Sequence, residues 1–275
     1  MPTAKIVLDS VTHLKPEHRG QAAYCASHGG SYAGYYAACM GIGAVILSDA
    51  GIGREQAGLG GLLLLEELGV PAAAISHRSA RIGDGQDGLT RGVLSFINAP
   101  ATALGLAPSM SCREALDRLA AARLTPAPAP PDQAEHRHEV SEAGRDGVKV
   151  ILMDSNSLVL PEDAGHVVVS GSHGGLLGGK PETAVKYPVF AIVTNDADRG
   201  IDDAGVSRLP ALEQRGIAGA CVSAFSARIG DGRSSYEEGY ISALNDTARR
   251  HGGKIGQICR AFVAAMVEAR AKDMK

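Results

Sequence analysis

The sequence predicts an α/β protein made of two tandem, pseudo-twofold-related repeats of alternating strands and helices around a parallel or mixed sheet. Three observations carry that expectation. Ser27-His28-Gly29-Gly30 returns as Ser172-His173-Gly174-Gly175. Ser79-Ala80-Arg81-Ile82-Gly83-Asp84-Gly85 returns as Ser226-Ala227-Arg228-Ile229-Gly230-Asp231-Gly232, displaced by 147 positions. Between the motifs, short and wholly apolar runs alternate with longer helix-like stretches, which suits strands covered on both faces.

The repeat fixes the units. The displacement is 145 at the first motif and 147 at the second, so the second copy holds two extra residues, between 176 and 187. At the larger shift, 20 of the 48 residues from 48 to 95 are identical, which makes this a duplicated domain and not a short-period solenoid. The expected units are 4–125 and 149–272, joined by a linker over 126–148. That linker opens Pro126-Ala127-Pro128-Ala129-Pro130-Pro131, a composition favouring a semi-rigid extended spacer, and continues as a charged stretch.

Within each unit the elements follow in order. Runs 5–8 and 149–153 read as first strands, 166–169 as a second, and 44–47 with 190–193 as thirds. Runs 72–75 and 220–222 read as fourths. Residues 56–68 read as a helix closed by Gly69, and Gly216 stands at the matching place as a left-handed cap. Residues from 111 and from 258 to 272 read as closing amphipathic helices, with Cys112 and Cys259 in equivalent positions.

Composition narrows the setting. A net charge of −3 with no basic run gives no nucleic-acid footprint. No apolar run reaches membrane-spanning length, and Met1-Pro2-Thr3-Ala4 does not open a signal peptide. The odd count of five cysteines fits buried thiols in a reducing cytoplasm. Few aromatics and 35 glycines favour a small polar ligand over a large apolar one.

The repeated polar residues gather where strands are expected to end, which is where ligands bind in sheets of this kind. His28 and His173 stand on glycine-rich turns, where an imidazole can move protons as a general base. The plain alternative is a histidine bonding its own turn. Ser27 and Ser172 are candidate nucleophiles or oxyanion donors, and the amides of Gly29, Gly30, Gly174 and Gly175 are candidate anion cradles. Arg81 and Arg228 could clamp a substrate carboxylate or phosphate, or could pair with Asp84 and Asp231 three residues on. Asp49 and Asp196 could orient a histidine, act as a base, hold a metal, or cap the next helix. Several differences between copies fall on these loops: His77 against Ala224, Arg54 against Ile201, Cys25 against Ser170, and tyrosines 32, 35 and 36 against the region of Lys180 and Lys186. They favour one composite site between the lobes, or one active and one degenerate site, over two identical ones, with His77 and Lys180 as substrate contacts.

Other patterns carry less. Gly174 to Lys180 has phosphate-loop spacing, but Pro181 stands where that motif needs a hydroxyl. His136-Arg137-His138 has spacing compatible with a metal, yet reads better as solvated linker. No motif requires a cofactor; a divalent metal held by dispersed His and Asp stays open. The glycine-rich duplicated lobes are similar in architecture to ring-opening amidohydrolases of the cyanuric acid and barbiturate type. Those have three repeats with Ser–Lys pairs, so no residue carries over.

The expectation is a cytoplasmic metabolic enzyme, a hydrolase of amides or cyclic amides or a lyase, acting on a small anionic metabolite. A homo-oligomer is compatible with it; nucleic-acid and membrane partners are not expected. The rival is a non-catalytic binding protein whose two lobes close on a small metabolite, and a structural or subunit-interaction role ranks third.

Overall fold

A computed structural model describes residues 5–274; residues 1–4, including the expected start of the first unit and the segment read for a targeting signal, and residue 275 lie outside the described part. The first repeat forms a five-stranded sheet in the order β1-β2-β3-β4-β5. Its parallel strands are β1 (Ile6–Leu8), β2 (Ala22–His28), β3 (Ala44–Ser48) and β4 (Ala72–Ile75), and β5 (Leu94–Ile97) runs antiparallel to β4. Helices α1 (Ser31–Cys39) and α2 (Gly60–Glu67) cover one face, while α3 (Gly85–Arg91), α4 (Ala99–Ala103) and α5 (Cys112–Ala121) cover the other.

The second repeat repeats this order and adds a strand. The sheet runs β11-β10-β9-β8-β7-β6, from β6 (Arg137–Glu139), β7 (Val150–Met153) and β8 (Val167–His173) to β9 (Ala191–Asn195), β10 (Ala218–Val222) and the antiparallel β11 (Ile241–Leu244). Helix α6 (Arg208–Gln214) lies on one face; α7 (Gly232–Glu238), α8 (Asp246–Arg250) and α9 (Cys259–Asp273) lie on the other. The apolar runs are central strands buried on both faces, as their lack of alternation requires: β3, β7 and β10 have every residue buried.

Three departures from the sequence expectation have physical reasons. The helix expected from residue 56 starts later, at Gly60, because Glu55 and Gln56 adopt left-handed backbone with φ +52° and +57°. The segment matching α1 forms two short 3-10 turns, Leu177–Gly179 and Pro181–Thr183, around the two extra residues. The charged part of the linker is no mere spacer, since β6 pairs antiparallel with β7, Arg137 opposite Met153 and Glu139 opposite Ile151.

The repeats meet through equivalent loops. Arg54 donates its amide to the Ala224 carbonyl (2.8 Å), and Ile201 donates to the His77 carbonyl (2.9 Å), two bonds that exchange under the pseudo-twofold. A small apolar core of Ala50, Ile82, Ala197, Ala204 and Ile229 is built from both repeats. No helix among the described residues is long and apolar enough to cross a membrane.

Candidate functional site

Each Ser-His pair ends a strand, not a free turn. The ladder of β2 with β3 loses register between Tyr24 and His28, and that of β8 with β9 between Val169 and His173. Such irregularities re-aim side chains, and here they bring the two histidines together. Their ring centroids are 6.3 Å apart and the rings meet edge to face at 76°. Each is backed by the other repeat's glycine-rich loop: a Cβ on Gly230 would stand 3.3 Å from His28 Cε1, and one on Gly83 3.4 Å from His173 Cε1.

The hydrogen bonds fix which nitrogen carries the proton. Gly30 donates its amide to His28 Nδ1 (3.1 Å) and Gly175 donates to His173 Nδ1 (3.1 Å). An amide can only donate, so each Nδ1 accepts, and a neutral ring must then carry its proton on Nε2. Neither Nε2 has a hydrogen-bond partner among the described residues. Burial pushes the His28 imidazole down to about 4. Burial, the Arg208 charge and His28 push His173 well below its ordinary range. At neutral pH both rings are therefore uncharged Nε2–H donors. A ring in that state has no free lone pair, which turns the expected general bases into hydrogen-bond donors.

Both rings line a cleft of about 370 Å³ together with Ser27, Ser172, Tyr32, Lys186 and Arg208. Arg208 is the residue that sequence reasoning missed. It is 3 % exposed, and it donates Nε to the Gly175 carbonyl (2.9 Å) and Nη1 to the carbonyls of Thr183 (2.9 Å) and Ala184 (2.6 Å). No carboxylate pairs with it among the described residues, and burial pushes its guanidinium down to about 10. A buried cation without a counter-ion is costly, and the cleft is where an anion would offset that cost. The signal was available at the 147 shift, which sets Arg208 opposite Gly61.

The remaining expected residues divide. The hydroxyls of Ser27 and Ser172 accept the amides of Val11 and Asn156, both at 2.8 Å, and so brace the turns after β1 and β7. The four glycine amides are all used: Gly29 and Gly174 donate to the carbonyls of Ser48 and Asn195, and Gly30 and Gly175 to the histidines. None is a free anion donor, and the glycines have a packing role. A Cβ on Gly29 would run into the Gly58 carbonyl and Leu62, and one on Gly174 into the Gly205 carbonyl and Cys221.

Asp49, Asp196, His77, Arg81 and Arg228 lie where the repeats meet, and none of them lines the histidine cleft. Asp49 does orient a histidine, but the one it orients is His77. It accepts His77 Nδ1 (2.8 Å) and the His77 amide (2.9 Å), while His77 Nε2 reaches Asp198 of the other repeat at 2.9 Å. Burial alone would lower the His77 pKa, and the Asp49 and Asp198 carboxylates outweigh it and raise it. Asp196 faces Ala224 where Asp49 has His77; it accepts only amides and the Ser242 hydroxyl, and burial raises its pKa. Arg81 binds Asp202 across the interface (3.0 Å), and Arg228 binds Glu55 (3.2 Å) and Asp231 (3.2 Å). Lys180 is exposed beside the second repeat's 3-10 turns and lines no part of the cleft, whereas Lys186 does. No group of three or more His, Cys, Asp or Glu side chains among the described residues is placed to hold a metal ion. Comparison with protein-family models, curated proteins and solved structures finds no match.

Proposed function

We propose that the chain is a cytoplasmic enzyme that takes a small anionic metabolite into the cleft between the repeats and acts on it by hydrolysis of an amide or cyclic amide, or by elimination. One observation carries the reading: two uncharged imidazoles with Nε2–H donors and a buried guanidinium without a carboxylate partner line one cleft. Arg208, with Lys186 near the rim, offers the charge that attracts the anion. The imidazole pair offers pre-oriented donors for oxygen charge that develops during reaction, and fixed donors of this kind are commonly the largest catalytic contribution. The four buried thiols, Cys25, Cys112, Cys221 and Cys259, are all free, which supports a reducing compartment.

A non-catalytic binding protein is the second reading, favoured by the same donor state of the rings, because donors bind anions whether or not bonds break. Thermal-shift screening of small carboxylates and cyclic amides, followed by product detection for each stabilising compound, separates the two. The enzyme reading expects product, with His28→Ala and His173→Ala each lowering turnover at least tenfold in folded protein. Stabilisation without product supports binding alone, and full turnover in both variants contradicts the site.

A further inference from the structure

We propose that Glu135, carried by the segment between the repeats, is the proton-transfer residue of this cleft, so that the segment is a working wall of the site. The inference rests on the enzymatic reading above and adds the one group that the histidines and serines leave missing. With both rings locked as donors and both serine hydroxyls accepting backbone amides, a hydrolytic site still needs a proton acceptor.

Three carboxylates line the cleft: Glu135, Asp154 and Glu182. Asp154 is committed, since Oδ1 accepts the Gly232 amide (3.1 Å) and Oδ2 accepts both the His136 amide and Nδ1 (each 2.9 Å). Glu182 is exposed. Glu135 is half-buried; the Tyr32 and Ser155 hydroxyls approach its carboxyl, yet Oε1 is buried and accepts no well-formed hydrogen bond among the described residues. A native protein rarely leaves a buried carboxylate oxygen idle, and such atoms are often functional. Burial raises the Glu135 pKa, the Tyr32 and Ser155 hydroxyls pull it partly back, and Asp154 adds to the rise. A carboxyl tuned upward toward neutrality is suited to take and return a proton.

The segment is held in place. His136 is clamped to Asp154 by three hydrogen bonds, two to the carboxylate and one from the Asp154 amide to the His136 carbonyl (3.0 Å). Pairing of β6 with β7 begins at the next residue, Arg137. Glu135 thus sits one residue before a pinned strand, at the cleft, beside Tyr32 of α1. In the hydrolytic step, the Glu135 carboxylate takes a proton from water as the water oxygen bonds to the amide carbon. The carbonyl electron pair moves onto its oxygen, facing the imidazole Nε2–H groups. The C–N bond then breaks as Glu135 returns the proton to nitrogen, so water and amide become acid and amine.

Two measurements on the full chain test this. The first is infrared difference titration of wild type against Glu135→Gln, with the carboxyls of Asp154 and Glu182 and the rings of His28, His173 and Tyr32 as neighbouring groups to separate. It should show a Glu135 carboxyl titrating above the ordinary range; an ordinary midpoint overturns the proposal. The second uses any screened cyclic amide that yields product. Glu135→Gln should lower turnover at least a hundredfold while thermal stabilisation by the compound persists, and Glu135→Asp should restore part of it with a displaced acid limb of the pH profile. Undiminished turnover in Glu135→Gln overturns the proposal while leaving the enzyme reading intact. If no compound yields product, the enzyme reading fails, and the proton-transfer role falls with it whatever the titration shows.

Discussion

At the scale of single residues, the Ser-His-Gly-Gly pair was legible in the sequence as a place of interest, though its chemistry was not. Repetition pointed to His28 and His173, but the tautomer depends on the Gly30 and Gly175 amides, whose direction no spacing reveals. Arg208 was hidden among many differences between the copies, and Glu135 lies in the unrepeated linker, where no second copy offers a comparison. The site histidines, His173 buried and His28 partly so, carry a pH prediction. Their folded-state pKa values lie below the unfolded one, so the stability they contribute is present above about 6.5 and is lost as pH falls through the folded values. For His28, with its imidazole near 4, the loss is on the order of 3 kcal/mol between those limits. Denaturant unfolding should show stability falling from pH 6.5 to 4, with a shallower fall in His28→Gln; an equal fall in both would contradict the neutral buried ring.

At the scale of elements, most inner strands were legible as continuous apolar runs, though β2 was not read as a run of its own; the closing helices α5 and α9 were legible from their apolar spacing, α5 also from Ser111 at its N-cap. The antiparallel β5 and β11 and the linker strand β6 left none, since edge strands of this length depend on the partner they find. The loops after β3 and β9 were also opaque. Ala50, Ile52, Glu55 and Gln56 adopt positive φ, as do Ala197, Asp198, Arg199, Asp202 and Asp203 in the second copy. Each such non-glycine residue costs roughly 1–2 kcal/mol, and their recurrence in both copies shows that the interface requires the shape. At the hinge of each loop, Gly53 and Gly200 have φ of +68° and +67° with ψ of −168° and −173°, a region open only to glycine. A Cβ there would also stand 2.9 Å from the Ala224 carbonyl or 2.8 Å from that of His77. Gly53→Ala and Gly200→Ala should each destabilise the protein by about 2 kcal/mol or more in equilibrium unfolding. A change within a few tenths would contradict the strained geometry.

At the scale of the whole molecule, duplication made the two-sheet architecture legible and left the joint between the halves to be found. That joint holds several residues expected in the site, and the reason is geometric. The loops after β3 and β4 of each repeat, with their polar residues, reach across to the other repeat. His77 shows this best, bridging Asp49 of its own repeat to Asp198 of the other, where the symmetric position offers Ala224 and Gly51. With its folded-state pKa raised, His77 contributes stability that is fully present below the unfolded value near 6.5 and is lost as pH rises through the folded one. Stability should therefore decline on the alkaline side of that value, and His77→Gln should remove this part of the dependence; an unchanged alkaline slope in the variant would argue against the clamp. The same joint sets the cleft, because each histidine is backed by the other repeat's glycine-rich loop. In the proposed site, two equivalent histidines, brought together by duplication, bind one anion as neutral Nε2–H donors. This arrangement is tested most directly by long-range proton–nitrogen NMR of the imidazoles at pH 7, recorded while a stabilising carboxylate is titrated in. Both His28 and His173 should be Nε2–H tautomers, with both sets of signals moving on one binding curve. A protonated Nδ1 in either ring, or signals that stay still while the carboxylate binds, would contradict it.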